Sequence, residues 1–170
     1  KYRHPLPTEN QLQKYAMVVL CGRKWGLVCS LTRLVHFGKI PGEIQNKLKS
    51  VARIDAELIK NTRPGKTTGE VFSQAVLAYQ SEGYPDEWQL HHQGGMTGFE
   101  PRESVAGPKS KQMIQAGQFY AWNPSISGVK SEDTIFVGEM KNEVITKMEN
   151  WPTIVVSSGG VDYQRPAILQ

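Results

Sequence analysis

Cysteine is scarce in this chain: Cys21 and Cys29 are the two in 170 residues, and no second pair stands at metal-ligand spacing. Four-cysteine zinc modules and disulfide-stapled scaffolds are thereby excluded, and free thiols buried in a reducing compartment are expected. Long apolar runs are missing too. No stretch reaches the length that a membrane span requires, and the first residues lack the positive, apolar and small-residue succession of a signal peptide, so the expected address is the cytoplasm. Nor is charge of one sign massed anywhere. The 20 Lys and Arg against 16 Asp and Glu leave a net charge of +4 spread along the chain, which offers no platform for nucleic acid.

What is present suffices for one core, because 39% hydrophobic residues in a chain of this length fill one domain and fall short of two. The chain opens on Lys1-Tyr2-Arg3-His4-Pro5-Leu6-Pro7 without Met and passes within a few residues into apolar Ala16 to Leu20. Residues 1–170 are therefore expected to be a single domain truncated at its N-terminal side. Cys21 to Lys24 is expected to turn that first strand into a second, Trp25 to Val35, as a β-hairpin. Ile44, Leu48, Val51, Ile54 and Leu58 then recur at three- and four-residue spacing, with Pro41 near the first turn, and predict a helix that Pro64-Gly65 breaks. Thr67 and Glu70 form a capping box for a second helix carrying Val71, Phe72, Ala75, Val76 and Tyr79, stopped at Gly83. Strand signals follow at Phe119 to Trp122, Thr134 to Val137, Val144 to Met148 and Thr153 to Ser157. A strand pair, two helices and then several strands imply an α+β fold with the helices on one sheet face.

The stretch Leu90 to Glu103 gathers two imidazoles, glycines, carboxylates and a guanidinium, a mixture that no ordinary core segment carries. Its glycines admit a close approach by a strand or ligand, and its ionisable groups supply acids, bases and donors. His91 and His92 are adjacent, so in a strand only one can reach a common pocket.

Five fragments, in order, carry a resemblance. Gly26 with Ser30-Leu31-Thr32-Arg33, Thr62-Arg63-Pro64-Gly65, His91 through Phe99, Tyr120 through Ile126, and Ser131-Glu132-Asp133-Thr134 are together similar to the pita-bread domain of aminopeptidase P, prolidase, methionine aminopeptidase and creatinase. The resemblance implies a curved, mostly antiparallel sheet with helices on its convex side. It also implies a site at which the peptidases hold two divalent cations with two aspartates, one histidine and two glutamates. Here Ser30 stands at the second aspartate position, Gly95 at the histidine and Asn123 at one glutamate; the first aspartate position falls within Val19 to Cys21, none of them a carboxylate, and Glu132 alone remains. Two cations held close together need several anionic oxygens to offset their repulsion, so no metal or other cofactor is expected.

Creatinase, in the same fold, works without metal through a histidine and substrate-gripping glutamates. On that likeness His4 is expected to carry protons, Glu132 to anchor a cationic substrate and His91 to act as a second acid or orienting donor. Arg102, where the peptidases commonly carry histidine, is expected to clamp a substrate carboxylate, with Asn123 and Ser30 completing the binding residues. The expected function is metal-independent hydrolysis of a small amide, guanidino or dipeptide-like substrate. The alternative is a catalytically silent module that binds a peptide or protein, like the peptidase-like domain of the FACT histone chaperone. Expected partners are a small-molecule or short-peptide substrate, a second copy of the chain or an upstream domain of the same protein, with neither nucleic acid nor membrane.

Overall fold

A computed structural model describes residues 6–170, so His4 lies outside the described residues. β1 (Tyr15–Lys24) and β2 (Leu27–His36) pair antiparallel, with Val19 opposite Thr32 and Cys21 opposite Ser30. The turn is Trp25-Gly26, not Cys21 to Lys24. Both turn residues take positive φ, 52° and 90°, which a two-residue type I′ hairpin loop demands, and the expected turn residues instead continue the strand. β12 (Ile168–Leu169) runs parallel to β2, leaving β1 at the sheet edge. Cys21 is consequently exposed and Cys29 half-buried, against the expectation of two buried thiols.

Helix α1 (Gly42–Asn61) begins directly after Pro41 and buries Leu48, Val51, Ile54 and Leu58. It stops before Pro64, where Thr62 donates both its backbone N–H and its hydroxyl to the Leu58 carbonyl. Helix α2 (Thr68–Ser81) starts at the expected capping box: Glu70 N–H donates to Thr67 Oγ1, and Glu70 Oε2 accepts from Thr67 N–H at 2.7 Å. A short 3₁₀ turn, Glu87–Gln89, follows.

The second half is a meander. β3 (Gly94–Thr97), β4 (Ser104–Val105), β5 (Phe119–Trp122), β8 (Asp133–Val137) and β9 (Asn142–Val144) form an antiparallel sheet ordered β4-β3-β5-β8-β9. β6 (Ser125–Ile126) with β7 (Val129–Lys130), and β10 (Thr153–Ser158) with β11 (Val161–Pro166), make two hairpins. β9 ends sooner than the expected Val144 to Met148. Thr146 turns its hydroxyl onto Asp133 Oδ1 at 2.7 Å while accepting from Thr134 N–H, and this draws the chain off the ladder. An isolated bridge between Thr32 and Glu132 joins the two larger sheets.

Strand alternation sorts the side chains. Tyr120, Trp122, Ile135 and Val137 pack with Leu58, Val71, Phe72 and Ala75 of the helices, and the Trp122 indole donates to Thr62 Oγ1 at 2.8 Å. Asp133 pairs with Trp122 and shares this helix face; Glu132 and Asn123, one step along, share the other face with Ala121 and Thr134. His91 and His92 lie in the bend before β3 instead of in a strand, and their rings meet tilted by 30° with centroids 4.3 Å apart.

Candidate functional site

Glu132 is the centre of the face turned away from the helices. It is 2% exposed, and both its oxygens are engaged. Oε1 accepts from Arg102 Nη2 at 3.0 Å, and Oε2 accepts from Lys130 Nζ at 2.9 Å and from Thr32 Oγ1 at 2.6 Å. Burial pushes the Glu132 carboxyl up, but Lys130, the Thr32 hydroxyl and Arg102 together outweigh it and hold the group below the usual glutamate range. Arg102 also donates through Nη1 to Ser30 Oγ at 3.2 Å, and Ser30 Oγ lies 3.2 Å from Cys21 Sγ. A chain of contacts thus runs from Cys21 through Ser30 and Arg102 to Glu132 and Lys130. The hairpin register also settles which residue of Val19 to Cys21 stands beside Ser30: it is Cys21.

Of the sequence-derived candidates, Ser30, Arg102 and Glu132 come together here. Asn123 is buried on the same face; its backbone N–H donates to the Gln93 carbonyl, while Oδ1 has no hydrogen-bond partner among the described residues. His91 sits in the bend preceding β3, where Nδ1 is 2.6 Å from the His92 carbonyl. Gly95 is closed to any side chain, because a Cβ there would stand 2.0 Å from the Ser104 carbonyl oxygen. Lys130 and Thr32 were not singled out from sequence. The signal for Lys130 was its position two residues before Glu132, which in extended chain puts both on one face.

The other face carries a second ion cluster that sequence reasoning missed. Asp133 binds Arg33 Nη2 at 2.8 Å and Arg165 Nη2 at 2.9 Å, and Arg165 reaches Asp55 of α1 at 2.5 Å. Ser131 Oγ donates to Asp55 Oδ2 at 2.5 Å. Burial works against the Arg165 charge, yet Asp55 and Asp133 more than compensate and raise its pKa further. A groove of about 980 Å³ lies on this side, lined by Arg33, Asp133 and residues of β9 to β11. On the Glu132 face, Arg102 and Lys130 stand directly against the carboxylate.

Element order, the two helices and the split of faces define an α+β pita-bread domain of the peptidase class. Residues 1–139 match metallopeptidase family M24, and the chain belongs to that family. It is 30% identical over 155 residues to uncharacterized peptidases of Staphylococcus epidermidis and Staphylococcus saprophyticus, covering 86% of this chain and 44% of theirs. The chain therefore spans less than half the length of these relatives. Among solved structures it resembles a prolidase from Thermococcus sibiricus (TM-score 0.76, 19% identity, 86% of this chain and 42% of that one). A dipeptidase from Pyrococcus horikoshii gives TM-score 0.75 at 24% identity, covering 84% of this chain and 42% of that chain. The N-terminal domain of a FACT complex subunit from chickpea gives TM-score 0.65 at 19% identity, covering 78% and 35%. No helix among the described residues is long and apolar enough to cross a membrane.

Proposed function

We propose that this chain is a peptidase-fold member of M24 that has exchanged its two-metal centre for organic cations and serves to bind a peptide or protein partner. The observation that carries this reading is the complete occupation of Glu132 by Arg102, Lys130 and Thr32. Ser30, Gly95 and Asn123 offer no anionic oxygen, and the one carboxylate is already neutralised by two cations, so the donor set does not fit two divalent ions. Arg102 then acts as an internal counter-ion, where sequence reasoning gave it a substrate carboxylate to clamp, and it takes up the Glu132 oxygen meant for a substrate guanidinium.

Metal-independent hydrolysis needs an imidazole beside that carboxylate. His91 is engaged locally with His92, and His4 lies outside the described residues. The outer strand β1, with Val18, Val19 and Leu20 each about half exposed, is the surface this reading gives to a second copy or to an upstream domain of the same protein. The test uses the complete protein: metal analysis after dialysis against manganese, and hydrolysis of Xaa-Pro dipeptides and creatine-like guanidines. Substoichiometric metal and no turnover are expected; two bound ions per chain, or turnover in chelator, would overturn the reading.

A further inference from the structure

We draw no further inference here: the strongest candidate, the exposed apolar patch of edge strand β1 at Met17, Val18, Val19 and Leu20, carries nothing because nothing in the structure shows what covers it.

Discussion

Glu132 and Asp133 are neighbours in the chain and face opposite sides of one sheet, and each gathers two cations. Asp133 has Arg33 and Arg165, which also holds Asp55, all of them side chains no more than 5% exposed. Glu132 has Arg102 and Lys130, whose side chains are 13% and 9% exposed. The first cluster ties β2, β8, β11 and α1 together and is nearly dry, with Arg33, Asp133 and Arg165 at the base of the groove. The second lies on the opposite face, and its cations come from a loop and a short hairpin. Similar pairing therefore serves two ends: one cluster locks the fold, and the other, on the proposed reading, takes the place of a metal centre. Removing a partner from the drier cluster strands a more deeply buried charge, whereas the wetter cluster can relax.

That contrast sets the order of expected losses. Arg165→Met leaves Asp55 without its cation and Asp133 with one, and should cost about 3–5 kcal/mol, read as a lower urea midpoint with unchanged slope. A loss below about 1 kcal/mol would mean that the cluster is not a lock. Glu132→Gln keeps the shape and one acceptor for Thr32, Arg102 or Lys130 but removes the counter-charge, so a loss of about 1–3 kcal/mol is expected. If Glu132→Gln proved as damaging as Arg165→Met, the two faces would be equivalent and the contrast would fail.

A pH series sharpens the same comparison. Glu132 is held below the ordinary glutamate value of about 4.3, so folding favours its ionised form. The stability it contributes is complete above that ordinary value and is lost as pH falls through the lower folded value. Melting temperatures taken from about pH 6 downward should fall more steeply for the native sequence than for Glu132→Gln, the two curves converging in acid. Parallel curves would show that Glu132 is not held ionised by its neighbours.

Much of the fold was legible because local rules and tertiary packing agree. The Thr67 and Glu70 capping box, the α1 stripe and the strand Phe119 to Trp122 appear where pattern placed them. The rest was hidden by residues whose reasons are tertiary. β3 is half glycine and has almost no strand propensity, yet Gly94 and Gly95 are needed there because neighbouring backbone leaves no room for a Cβ. β11 carries Asp162, Gln164 and Arg165, which read as surface, and only the distant Asp55 and Asp133 explain why Arg165 is buried. The site was half legible for the same cause: Ser30, Arg102 and Glu132 followed from motif order, but that a cation would sit on each Glu132 oxygen depends on how the loop before β4 and the β6-β7 hairpin fold over it.

The smallest effect is expected at the outer end of the Glu132 face. Cys21 touches Ser30 through a weak thiol contact and is exposed on edge strand β1, so Cys21→Ala should change stability by less than about 0.5 kcal/mol in this chain alone. The same substitution in the complete protein tests what covers β1. If an upstream domain or a second copy packs there, the thiol gains neighbours, Cys21→Ala leaves a small cavity, and iodoacetamide labelling slows. Equal, fast labelling of the chain and the complete protein would leave the apolar strand uncovered and remove that partner from the account, while leaving the Arg102, Lys130 and Glu132 cluster untouched.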